Sequence, residues 1–222
     1  MSKTITLTID DRKVTAPEGE KLLWVALEND IYIPNLCAIK EEGRPSASCR
    51  LCFVHVEGLP APVTSCTQAV REGMVVKTRT PQVDRLVRTA FELLLSDHRL
   101  KCSTCPQNRS CELQKIARAR GLKLKLKRFK SLGKEYPLYE SPGLFTFDRS
   151  RCVLCGRCVW VDHEVAKVGA IGFARRGLKR MVTTFGNIDL DASSCTECGL
   201  CVKACPVGAL NFTGEQSSEK DG

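Results

Sequence analysis

Fourteen cysteines and one histidine carry the chemistry that this chain of 222 residues can do. Cys37, Cys49, Cys52 and Cys66 are spaced C-x11-C-x2-C-x13-C, and His98, Cys102, Cys105 and Cys111 are spaced H-x3-C-x2-C-x5-C. Cys152, Cys155 and Cys158 form C-x2-C-x2-C; Cys195, Cys198, Cys201 and Cys205 form C-x2-C-x2-C-x3-C before Pro206. Every cysteine falls in one of these groups. Three uses compete for them. Disulfides fit badly, because C-x2-C pairs in a reducing compartment stay reduced. Structural zinc also uses C-x2-C pairs, but its tetrahedral sites favour two pairs of ligands rather than triplets. Iron–sulfur ligation remains.

Both triplets, one ending in C-x3-C-P, match the bacterial ferredoxin run, in which three thiolates wrap one cubane and the fourth reaches across to the other cluster. A cubane presents four irons at the corners of a tetrahedron, so two-residue gaps let a tight loop supply three thiolates. Backbone N–H groups of such a loop point at the sulfur atoms and stabilise negative charge. Gly156 and Gly199 lie inside the loops, where a missing side chain permits close backbone approach. Pro206 would end the fourth-ligand segment with a fixed φ.

Composition agrees with small cores held by metal. Aromatic residues are 6% of the chain, and ten prolines and sixteen glycines divide it into short pieces. Several small cores are therefore expected rather than one large one, and small cores need staples. Cysteine, at about 6%, falls below the density of a secreted disulfide scaffold. The opening MSKTITLTIDDRK has no apolar signal region, and no stretch reaches the length of a membrane span. A cytoplasmic protein without membrane insertion is the expectation.

The elements that must position the ligands are short. Thr4–Asp10 alternates polar and apolar residues as a half-buried strand, followed by a second strand around Lys13–Ala16. Pro17-Glu18-Gly19 opens an expected helix running to about Asn29, with Leu22, Leu23, Ala26 and Leu27 on its apolar face. Residues 37–49 form a polar loop; Phe53–Val56 and Met74–Lys77 are strands. This pattern describes a β-grasp ferredoxin domain over 1–79. Pro81 then starts a helix with Val83, Leu86, Val87, Ala90, Phe91, Leu94 and Leu95 at core spacing, leading to His98. His55 is a structural strand residue. His98 differs, because it stands four residues before Cys102 in a group one thiolate short.

Residues 115–134 carry nine Lys/Arg and no acid. They read as an acidic-partner surface, a nucleic-acid site or a solvated basic face. The last is favoured: four clusters bring roughly −7 of charge, which lowers the formal +9 to about +2. No nucleic-acid partner is expected. From about Phe145 to Phe212, RCVLCGRCV at 151–159 and SCTECGLCV at 194–202 form the pseudo-repeat of a two-cluster ferredoxin-like domain. The fold class expected is α+β, with a β-grasp domain at 1–79, a small helical His/Cys3 module with basic linker at 80–135, a two-cubane domain at 136–212 and a disordered tail at 213–222.

SCRLC at 48–52, GMVV at 73–76, HRLKCSTCPQNRSCELQ at 98–114 and RCVLCGRCV at 151–159 give the chain its likeness. It resembles the iron–sulfur region shared by the large electron-input subunit of respiratory complex I, iron-only hydrogenases, and small diaphorase subunits of NAD(P)-linked nickel–iron hydrogenases and formate dehydrogenases. The resemblance covers about residues 3–212. It implies a [2Fe–2S] cluster on Cys37, Cys49, Cys52 and Cys66, and a [4Fe–4S] cluster on His98, Cys102, Cys105 and Cys111. It implies a second cubane on Cys152, Cys155, Cys158 and Cys205, and a third on Cys195, Cys198 and Cys201.

The third cubane's fourth ligand should follow Cys158 after three intervening residues, Val159, Trp160 and Val161; that position is Asp162, not cysteine. Ligation by Asp162, ligation by the neighbouring His163, or a [3Fe–4S] cluster with a vacant corner are open, with Asp162 ranked first; a merely solvated carboxylate is the bland reading. No G-x-G-x-x-G, Walker-type loop, catalytic nucleophile setting or hydrogen-activating cysteine motif is present. The expected function is an electron relay in a hetero-oligomer, between a flavin/NAD(P)(H)-binding iron–sulfur subunit and a terminal hydrogenase, or alternatively a formate dehydrogenase or complex I-like NADH dehydrogenase. Its rivals are a stand-alone enzyme using an open-cornered cluster as Lewis acid, and a purely structural metalloprotein.

Overall fold

A computed structural model describes residues 3–140 and 144–213. The chain divides into two compact units, residues 1–93 and 94–222. The expected disordered tail lies almost wholly outside the described residues.

The first unit is a five-stranded mixed sheet. Strands β1 (Thr4–Ile9), β2 (Arg12–Pro17), β3 (Phe53–Val56), β4 (Val63–Thr64) and β5 (Val75–Lys77) stand in the order β2-β1-β5-β3-β4. β1 and β2 form a hairpin in the register Thr4↔Pro17 to Ile9↔Arg12, closed by Asp10 and Asp11, both in the left-handed region. Aspartate tolerates that conformation better than most residues, which suits it to a two-residue turn. β1 also runs parallel to β5, while β3 is antiparallel to both β4 and β5. The alternation of β1 sends Ile5, Leu7 and Ile9 into the core beside Leu22, Leu23, Val25 and Ala26 of α1 (Leu22–Glu28). This is the β-grasp arrangement, one helix packed on a mixed sheet.

Helix α1 begins later than the expected opening at Pro17. Pro17 instead ends β2, Gly19 turns the chain at φ +85°, and Lys21 bridges Ala69. The backbone of 17–21 is thus committed to the sheet and its neighbour, Val70, and no longer available to a first helical turn. α2 (Pro81–Asp97) has its buried face at Val83, Val87, Ala90, Phe91 and Leu95, with Leu86 and Leu94 partly covered.

In the second unit the basic stretch is not one exposed strand of charge. It begins inside α3 (Glu112–Arg120), which buries Leu113, Ile116 and Ala117 and ends at Gly121 in the left-handed conformation. The following residues run irregularly until β6 (Tyr139–Glu140), anchored by an ion pair between Lys134 Nζ and Asp97 at 2.6 Å and by the Leu132 N–H to the Ser96 carbonyl. β6, β7 (Phe145–Phe147) and β10 (Leu210–Phe212) make an antiparallel sheet in the order β10-β7-β6. Two short helices, α4 (Arg157–Trp160) and α5 (Leu200–Ala204), follow the two cysteine triplets, and β8 (Ile171–Ala174) pairs with β9 (Met181–Thr184).

Leu7, 1% exposed, sits mid-strand in the first unit's core. Leu7→Ala is expected to lower that unit's stability by about 2–5 kcal/mol, read as an earlier denaturation midpoint by circular dichroism.

Candidate metal centres

Cys37, Cys49, Cys52 and Cys66 are all buried, and Cys52 and Cys66 belong to the core of the first unit. They come as two close pairs. The Cys49 thiol hydrogen-bonds Cys37 and holds it down at about 5, with Ser48 and Ser46 adding to the effect. The Cys66 thiol does the same to Cys52, holding it at about 7, helped by Ser65. The donors Cys49 and Cys66 are pushed up in turn by giving those bonds and by burial. Two pairs of thiols suit two irons with two thiolates apiece, which is the demand of a [2Fe–2S] cluster. Arg50, at φ +55° between Cys49 and Cys52, turns the loop back so that both cysteines face inward. The Leu51 N–H contributes a bond to Cys49.

At His98 the geometry fixes a tautomer. Its Nδ1 lies 2.7 Å from the Arg151 carbonyl oxygen, which can only accept, so Nδ1 carries the proton and Nε2 keeps its lone pair. Burial holds the imidazole below its usual pKa and therefore neutral. A neutral ring clamped through one nitrogen is the form in which histidine ligates a metal. The Arg151 guanidinium also reaches the Thr104 carbonyl at 3.4 Å, between Cys102 and Cys105, and is paired with Asp148 at 3.0 Å. One residue thus ties His98 to the C-x2-C turn. Cys111 feels the charges of Cys105 and Cys102, and burial raises its thiol. Gly208 completes the cradle, because a Cβ built there would stand 2.3 Å from Cys105 Sγ.

The two triplets share one backbone plan. Leu154 and Glu197 both have φ +55°, and each donates its N–H to the sulfur two residues earlier, Cys152 and Cys195, at 3.4 Å. Gly156 and Gly199 follow in the left-handed conformation and start α4 and α5. A Cβ on Gly156 would meet the Phe173 ring at 3.3 Å, and one on Gly199 the Phe212 ring at 2.9 Å. Aromatic lids therefore press on both loops. Cys152 and Cys158 are raised by burial and by the charges of Cys155 and Cys205, so the structure brings Cys205 to the first triplet. Burial raises Cys195, and it pushes Cys201 up to about 12; both also feel Cys198 and Asp162. Asp162 thus stands with the second triplet. His163 is turned away to the Ile171 carbonyl, 2.9 Å from its Nε2.

Among the described residues no three His, Cys, Asp or Glu side chains converge tightly enough for a single ion. The donor set still fits iron–sulfur clusters: soft thiols in four groups, all but Cys198 buried or partly buried, with N–H groups aimed at sulfur and space kept by Gly208. Arg151, Gly208, Phe173 and Phe212 were not foreseeable as site residues. Each acts across a sequence distance that no local spacing encodes.

These features define a protein built to bind several iron–sulfur clusters. Residues 2–81 match the model of a 2Fe-2S iron-sulfur cluster binding domain, 88–123 that of the NADH-ubiquinone oxidoreductase-G iron-sulfur binding region, and 143–211 that of the NADH-quinone oxidoreductase subunit 3 ferredoxin-like domain. The chain thus carries in sequence three regions that match iron–sulfur models, and these regions bind one [2Fe–2S] cluster and [4Fe–4S] clusters. It is 35% identical over 211 residues to the NADPH-Fe(3+) oxidoreductase subunit alpha of Geobacter sulfurreducens, covering 93% of this chain and 24% of the relative. It is 36% identical over 212 residues to the NADP-reducing hydrogenase subunit HndD of Solidesulfovibrio fructosivorans, covering 93% and 36%. The chain thus spans about a quarter to a third of these curated relatives. A chain in the crystal structure of an NAD+-reducing [NiFe]-hydrogenase in the H2-reduced state superposes with a TM-score of 0.83 at 28% identity, covering 95% of this chain and 88% of that one.

Gly208→Ala is expected to displace Cys105 and strip the His98 group of its cluster. Iron should fall by about four atoms per chain, with the [2Fe–2S] visible and EPR signature unchanged.

Proposed function

We propose that this chain is an electron-relay subunit of a multisubunit NAD(P)(H)-linked oxidoreductase. In this reading a flavin- and NAD(P)-binding iron–sulfur subunit stands on one side and the hydrogen-activating subunit of a cytoplasmic nickel–iron hydrogenase on the other. The observation that carries it is four ligand groups with no accompanying substrate chemistry in the sequence. The hydrogenase chain is favoured as the template because it superposes on 95% of this chain with a TM-score of 0.83. No helix among the described residues is long and apolar enough to cross a membrane.

The clusters, when bound, would supply storage of one electron each without bond rearrangement at a substrate. The chain's part is to hold ligands and tune charge. Cys37, Cys49, Cys52 and Cys66 would hold the [2Fe–2S] cluster, and His98, Cys102, Cys105 and Cys111 one cubane. Cys152, Cys155, Cys158 and Cys205 would hold a second cubane, with Cys195, Cys198 and Cys201 on a third. The N–H groups of Leu51, Leu154 and Glu197 would stabilise the negative charge added on reduction. His98, as a neutral ligand replacing a thiolate, leaves its site one negative charge poorer, which raises the potential. Cys198 is exposed and lines a cleft of about 720 Å³ with Lys203, Gln107 and Phe212, a place for electrons to leave or enter.

Anaerobic co-purification tests the reading. The complex should contain a flavoprotein and a hydrogenase subunit, with about 14 iron atoms in this chain for three cubanes and one [2Fe–2S]. Hydrogen and NAD(P)H should each reduce its clusters only in that complex, followed by EPR. A formate dehydrogenase partner would move the relay to the alternative enzyme; turnover by the isolated chain, or zinc in place of iron, would overturn it.

A further inference from the structure

The position that departs from the family pattern is Asp162. It follows Cys158 on a segment where the helix widens: the Ala166 N–H bonds the Val161 carbonyl five residues back, making Val161–Val165 a π turn after α4. Such turns insert one residue and rotate the side chains around it, and they recur at functional sites. This segment packs against α5, the helix that carries Cys201. The Asp162 side chain is 11% exposed, too buried for a merely solvated carboxylate. Its Oδ2 accepts the Ile171 N–H at 3.1 Å, which orients the group and leaves Oδ1 for another partner.

The neighbouring histidine is fixed by the same strand residue. His163 Nε2 bonds the Ile171 carbonyl, which can only accept, so that nitrogen carries the proton and the lone pair is left on Nδ1; Nε2 also lies 3.9 Å from Asp162 Oδ2. The ring is also half exposed. The two candidates therefore differ in burial: Asp162 is the enclosed one, and its charge is felt at Cys195 and Cys201.

We propose that Asp162 is the fourth protein ligand of the cluster held by Cys195, Cys198 and Cys201, closing its open corner through Oδ1. The proposal rests on the reading of those three cysteines as a cubane site. The ligand set is then three soft thiolates and one hard carboxylate, which binds iron less tightly than sulfur does. The carboxylate-bound iron is the one to leave on oxidation. The [4Fe–4S]2+ core gives a [3Fe–4S]+ core, one Fe2+ and one electron, the electron going to an added oxidant such as ferricyanide.

The test uses the anaerobically purified complex, with iron counting, Mössbauer spectroscopy and EPR before and after limited ferricyanide. The wild-type protein should lose about one iron per chain and develop a three-iron EPR signal. Asp162→Asn keeps the acceptor for Ile171 and should show that signal before any oxidant, or lack that cubane altogether. Asp162→Cys should resist the oxidative loss, and His163→Ala should behave as wild type. Asp162→Asn indistinguishable from wild type in iron count and both spectra would overturn the assignment, as would iron loss that follows His163→Ala instead. The other clusters report independently, so reducible iron persisting at those sites separates failure of this ligand from failure of the relay reading.

Discussion

A buried thiol is a poor place for a charge, and this chain buries six of its fourteen thiols and leaves only Cys198 exposed. Desolvation raises Cys111, Cys152, Cys158, Cys195 and Cys201, and the nearby sulfur atoms raise one another. Ionising several such groups side by side is unfavourable unless a cation lies among them. Metal binding removes the protons and replaces mutual repulsion with coordination, so ligand binding and folding energy are linked. Cys52 and Cys66 show the linkage directly, since they are part of the same packed core as Leu7 and Leu22. The sites are structural members of the fold as much as passengers on it.

The backbone supplies what side chains do not. In three of the C-x2-C turns a residue other than glycine adopts positive φ, at Arg50, Leu154 and Glu197. That conformation is uncommon for such residues, and it turns successive N–H groups into a concave nest for an anion. It recurs in the β-grasp loop and in both ferredoxin-type loops, though not in the Cys102–Cys105 turn, so it is not tied to one fold. The glycines after the second cysteine have a different reason, the aromatic rings of Phe173 and Phe212 lying where a side chain would be.

Neighbouring sites in the second unit also share parts. Arg151 accepts the His98 Nδ1–H hydrogen bond on its carbonyl, holds the Cys102–Cys105 turn through its guanidinium, and immediately precedes Cys152. Pro206, which follows Cys205, accepts the N–H of Glu112 next to Cys111, and Gly208 makes room for Cys105. A shift at one site is therefore transmitted by direct bonds to the next, which suits centres that must keep fixed separations.

Much was legible in the sequence because a thiol ligand is a residue type and its spacing is a local quantity. The four cysteine groups, the strand alternation of Thr4–Ile9, the buried stripe of the helix from Pro81 and the repeated CxxCGxC loops are all written within a few residues of themselves. Helix α3 inside the basic stretch and the late start of α1 were not, because each depends on pairing or packing against distant chain. The same holds for the site. Asp162 and His163 are adjacent in the sequence, and the spacing ranks Asp162 first without excluding His163. What the tertiary structure adds is their difference in burial, Asp162 enclosed and His163 half exposed, with both tied to Ile171, a residue that local spacing could not have connected to the site.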